Sequence, residues 1–106
     1  MNVTLAIVPP DGGETDYQID LKVPHLPRSG EYIYLSEEEF PGVRAFLVRN
    51  IFHQGKHSSS EISEIDTVVL EVEFIEHPYQ SDSHKQSVEM YKARGYTVKS
   101  APETAY

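Results

Sequence analysis

The chain contains no cysteine, which excludes a disulfide framework, a thiol nucleophile and a zinc–thiolate site, the usual staples of small secreted domains. Met1–Thr4 also lacks the basic start and long apolar run of a signal peptide, so a cytoplasmic, bacterial setting is the expectation. No apolar stretch approaches the roughly 20 residues that cross a bilayer, so a soluble protein with no membrane partner is expected. Lysine and arginine are scarce, 9 against 17 aspartates and glutamates, and the formal net charge is -8. Phosphate backbones are held by basic side chains, so this balance argues against nucleic acid as a partner. The segment holding Lys85, Lys92, Arg94 and Lys99 is nevertheless mildly basic. Internal repeats and interdomain linkers are absent too.

What is present fits one domain. The 106 residues are enough for one core and too few for two domains with a site between them. Residues 1–100 form the expected β-rich domain, and 101–106 read as a flexible tail. Val3, Leu5 and Ile7 alternate in a first strand that Pro9-Pro10-Asp11-Gly12-Gly13 ends. Tyr17, Ile19, Leu21 and Val23 then share one face while Asp16, Gln18, Asp20 and Lys22 share the other, so the two runs should make an antiparallel hairpin. Pro24–Gly30 is a bend, and Glu31–Leu35 a short strand. Val43–His53 is a further strand whose apolar phase slips around Arg49 and Asn50, as at a bulge. After a polar loop over 54–65, Val68, Leu70, Val72 and Phe74 mark the strand expected at the centre of the core. Ser83-His84-Lys85-Gln86 offers a capping box for a helix near 83–94 that Gly95 stops. Tyr96–Val98 would add an edge strand.

Five β runs with one late helix predict a mainly β fold: a small antiparallel, SH3-like or OB-like barrel, or a strongly bent sheet, with one short C-terminal helix. The stretch Leu26-Pro27-Arg28-Ser29-Gly30-Glu31-Tyr32-Ile33-Tyr34-Leu35, followed by Val48–His53, resembles a Pro-x-x-Gly-Glu turn-and-strand feature of small uncharacterised bacterial SH3-like β-barrel proteins. The likeness covers roughly a quarter of the chain and consists of turn chemistry, so it implies a fold and carries no catalytic residues over.

Chemistry is thinly signalled. His53 and His57 have a spacing that aligns two metal ligands only on a helix, whereas here it runs from a strand end past Gly55. His77 belongs at the far end of the following strand, about 30 Å from His53 at strand rise. Glu37-Glu38-Glu39 lacks the spaced ligands of a calcium loop and reads as solvated charge. Glu71, Glu73 and His77 share the face opposite the apolar one and are expected in solvent. Ser58–Ser60 has no nucleophile elbow, and Asp11-Gly12-Gly13 lacks the Lys-Ser/Thr of a phosphate loop. No catalytic residue, metal ligand or cofactor is therefore expected.

Tyr32 and Tyr34 alternate with Ile33 and Leu35 and should present two rings on the face opposite the core. With Arg44, Phe46 and Arg49 they form the expected binding surface, unless the rings pack beneath the helix. The leading expectation is a nonenzymatic binding or assembly module acting through this aromatic face or a strand edge on a protein partner or a second copy. The alternatives are a small-molecule binder or enzyme with a pocket between helix and sheet lined by residues such as His25, Tyr91 or Arg49, and a reader of single-stranded nucleic acid.

Overall fold

The computed structural model describes residues 1–102. Its order is β1 Asn2–Val8, β2 Tyr17–Lys22, β3 Tyr32–Ser36, β4 Val43–Lys56, β5 Glu64–Phe74 and α1 Asp82–Ala93. The strands form one sheet in the order β2-β1-β5-β4-β3, curled into a half-barrel with the single helix. The fold is thus mainly β, a strongly bent sheet with one short C-terminal helix. Three of its pairings are antiparallel, β1–β2, β3–β4 and β4–β5. The fourth, β1–β5, is parallel from Thr4↔Val69 to Val8↔Glu73, so the sheet is mixed.

Period-two alternation decides which side chains face inward. Leu5 and Ile7 of β1, Phe46 and Val48 of β4, and Leu70, Val72 and Phe74 of β5 fill the concave face. Tyr17, Ile19 and Leu21 from β2 and Ile33 and Leu35 from β3 pack around them, and Tyr91 of α1 closes the core from above. The phase slip in β4 is real: register shifts between Val48 and Asn50 as the strand bends. The curl is deep enough for the Tyr17 hydroxyl of β2 to meet the Arg44 guanidinium of β4 at 3.1 Å.

The helix begins two residues earlier than its capping box implies. Ser81, not Ser83, is the N-cap, its Oγ accepting from the His84 N–H. Tertiary contact chooses between the two serines, because the Ser81 N–H donates to the Val43 carbonyl at 2.9 Å. Gly42 makes this approach possible; a Cβ there would lie 2.6 Å from the Ser81 nitrogen.

The C-terminal segment also departs from expectation. Tyr96–Val98 adds no strand; instead Ser100 bridges in parallel to Glu76, with Glu76 N–H donating to Lys99 and Ala101 N–H donating to Glu76, both at 2.8 Å. Ala101 is buried with Ala45 and Ile75 on the convex face, so it belongs to a second small core and not to a tail. The rest of the expected tail, 103–106, lies outside the described residues.

Past Ile51↔Leu70, β4 and β5 continue as a two-stranded arm to Lys56↔Glu64, so strand replaces both ends of the loop expected over 54–65. Every residue from 52 to 67 except Ser58 is exposed. Gly55 is required midway, since a Cβ there would sit 2.0 Å from the Glu64 carbonyl oxygen at the second register shift.

Candidate binding surfaces

The residues singled out for binding fall on two faces. Cross-strand pairing puts Tyr32 opposite Leu47 and Tyr34 opposite Ala45 on the convex side, and Ile33 opposite Phe46 and Leu35 opposite Arg44 on the concave side. Phe46 is therefore a core residue with no exposed surface, packed edge-on against Phe74 at 5.5 Å, and cannot belong to a docking face. Arg44 is likewise on the wrong side. It ties the β3–β4 loop to the sheet by pairing with Glu37, which also accepts from Ser81 Oγ at 3.4 Å. The Arg44 hydrogen bond holds the Glu37 carboxyl below its ordinary value, while burial raises the Tyr17 phenol.

Tyr32 and Tyr34 do face outward, 43% and 36% exposed, and do not lie under the helix. Two further residues extend the row: ring centroids run from Tyr32 to Tyr34 at 6.4 Å, to His77 at 4.7 Å, and on to Tyr79 at 6.0 Å. Strand parity already placed His77 on this face. Tyr79 arrives through the turn after Pro78, where its N–H donates to His77 Nδ1, and alternation carries no information about such a turn.

Arg49 shares the convex face but is spent on an internal ion cluster. Its Nε lies 3.1 Å from Glu71 and its Nη1 3.4 Å from Glu73. Glu73, expected in solvent, is fully buried. Lys99 reaches its Oε1 at 3.0 Å, and the Asp11 N–H donates to Oε2 at 3.1 Å from the left-handed turn at Asp11–Gly13. The overturning contact is long-range: residues 96–101 fold back over the central strand and bring a cation with them.

The expected pocket between helix and sheet is filled. Tyr91 is buried against Phe74 at 5.1 Å, His25 is exposed in the loop after β2, and Arg49 lies on the other face, so the three do not meet. A titratable group of this interior is His84, nearly inaccessible between Phe46 and Phe74. Its Nε2 lies 2.9 Å from the Ile75 carbonyl oxygen and 3.4 Å from the Ala45 N–H. One nitrogen cannot serve both, and the shorter contact assigns Nε2 as the donor. Nδ1 then has no partner among the described residues, and a second proton there would be a buried, unsatisfied charge.

Burial accordingly pushes the His84 pKa below its ordinary 6.5, against the opposing pull of the Ile75 carbonyl. The unfolded chain therefore binds a proton that the folded chain refuses, and stability falls as pH drops below about 6.5. Urea midpoints measured between pH 7.5 and 5 should decline for the wild type. The decline should flatten in His84→Gln, whose amide can still donate to Ile75; equal slopes would show that His84 is not the titrating group.

His53 and His57 stand on the arm, with His57 Nδ1 3.0 Å from Ser63 Oγ. Ser58 Oγ accepts from the N–H groups of Ser60 and Glu61, so it shapes the tip turn. No group of three or more potential metal ligands occurs among the described residues. Nor is any helix there long and apolar enough to cross a membrane. No protein-family model, curated protein or solved structure matches the chain.

Proposed function

We propose that this chain is a nonenzymatic binding module of the cytoplasm that takes up an extended polypeptide along the strand edges of its β4–β5 arm. The observation that carries this reading is the arm itself. β1 pairs with β5 only from Val69 onward, and β3 pairs with β4 only as far as Leu47. The outer edges of Asn50–Lys56 and of Glu64–Val68 thus have no strand neighbour among the described residues. Unpaired donors and acceptors in strand geometry are a template for adding another strand, and main-chain hydrogen bonds supply affinity without a deep pocket. The packed helix–sheet interface favours this reading over a small-molecule site, and the charge favours it over nucleic acid.

The aromatic row Tyr32-Tyr34-His77-Tyr79 supports a second reading, in which flat rings on the convex face take the partner. Hydrogen exchange separates them once a ligand is selected from a displayed peptide library. Strand addition predicts slowed amides within 50–56 or 64–68. Protection confined to 32–34 and 77–79 would transfer the function to the row.

A further inference from the structure

The two edges of the arm are chemically unlike, and we infer that the β5 edge is the binding edge and that its ligand is a cationic extended peptide alternating basic and apolar residues. This rests on the strand-addition reading and names the site and the ligand within it. From 61 to 66, the β5 side carries Glu61, Glu64 and Asp66 and no cation; from 50 to 57, the β4 side carries Lys56 and two histidines and no carboxylate. A basic strand is attracted to the first edge and repelled from the second.

Alternation sharpens the specificity. The second register shift falls here: Lys56 pairs with Glu64, Gly55 with Ile65 and Gln54 with Thr67, so Asp66 is the extra residue of a bulge, and the neighbours Glu64 and Ile65 point to opposite faces of β5. Ile65 is 65% exposed, a β-branched side chain on an open strand with nothing packed over it. An added strand would set one alternate set of its side chains on the face of Glu64 and the other on the face of Ile65. Basic residues suit the first set and β-branched apolar residues the second.

The fold also leaves room there. In the sheet, the parallel register Thr4↔Val69 brings Asn2 and Val3 level with Thr67 and Val68 without pairing to them, and the position beside Glu64–Asp66 lies beyond the start of β1. At that step lies a cleft of about 430 Å³ whose lining includes Val3, Leu21, Asp20, Asp66 and Val68, with Lys22 as its one cation. An incoming strand there would meet the apolar side chains of Val3, Leu21 and Val68, two carboxylates and one ammonium group.

The test uses the full chain and a fluorescein-labelled peptide of alternating lysine and valine, followed by anisotropy. Saturable binding is expected, weakened about tenfold by Glu64→Gln with Asp66→Asn and further by added salt. N-methylation of alternate peptide amides should abolish binding in one phase and spare it in the other, the mark of main-chain pairing on one edge. Both substitutions are on exposed side chains, and an unchanged circular dichroism spectrum confirms folding. Equal binding of an alternating glutamate–valine peptide would overturn the charge assignment and leave strand addition standing. Indifference to N-methylation in both phases, or no binding of either peptide, would overturn the inference and the strand-addition reading together. Dimerisation of the chain that displaces the peptide would make a second copy the occupant instead.

Discussion

Replacing Phe74 with alanine should lower the unfolding free energy by about 3–5 kcal/mol, the range for deleting a buried aromatic side chain. The residue is 2% exposed and lies where four elements converge. Its ring centroid is 6.2 Å from Tyr17 of β2, 5.5 Å from Phe46 of β4, and 5.2 and 5.1 Å from His84 and Tyr91 of α1. These neighbours are held by different backbones, so they cannot all move inward, and the cavity should persist. The cost therefore belongs toward the upper part of that range. Urea denaturation should show a lower midpoint with an unchanged slope, because the surface exposed on unfolding is nearly the same. Phe74→Leu, which keeps most of the volume, should recover much of the loss. An unaltered midpoint in the alanine variant would remove Phe74 from the centre of the core.

How much of this was legible in the sequence depends on the range of the interaction that decides each feature. The strands show plainly where one face is wet and one dry: Tyr17–Lys22 and Val68–Phe74 alternate cleanly, and the slip at Arg49 marks a real bulge. Alternation also set Tyr32 and Tyr34 on the outer face. It could not show that β1 lies parallel to β5, because that pairing joins segments more than sixty residues apart and leaves no local period. β4 taken alone has an ambiguous phase, which does not separate Phe46 and Arg44 from the tyrosines. Only the register against β3, Ile33 to Phe46 and Leu35 to Arg44, turns them inward. The N-cap illustrates the same limit on a smaller scale. Two serines satisfy the local chemistry, and a backbone contact with Val43 across the fold selects Ser81. The arm was hidden because its residues are polar and Ser-rich toward the tip, the composition of a loop, while its hydrogen bonds are made by the backbone.

Arg49→Ala should destabilise the protein by about 3 kcal/mol, at the low end of the cost of breaking a buried ion pair. The reason lies in the asymmetry of burial. The Glu73 side chain is 1% exposed, whereas Arg49 is 27% and Lys99 50% exposed. Deleting Arg49 leaves a carboxylate that cannot rehydrate, with Lys99 and the Asp11 amide as its remaining partners. Deleting Glu73 instead releases two cations that reach water, and Arg49 keeps Glu71 at 3.1 Å. Glu73→Leu should accordingly cost less than Arg49→Ala, although it removes the buried member of the pair. Combining Glu73→Leu with Arg49→Met should restore stability to within about 1 kcal/mol of wild type, since a packed apolar pair often equals or exceeds a buried ionic one. A double-mutant cycle on urea midpoints reads these differences directly. Additive effects at positions 49 and 73 would mean that the two side chains do not interact.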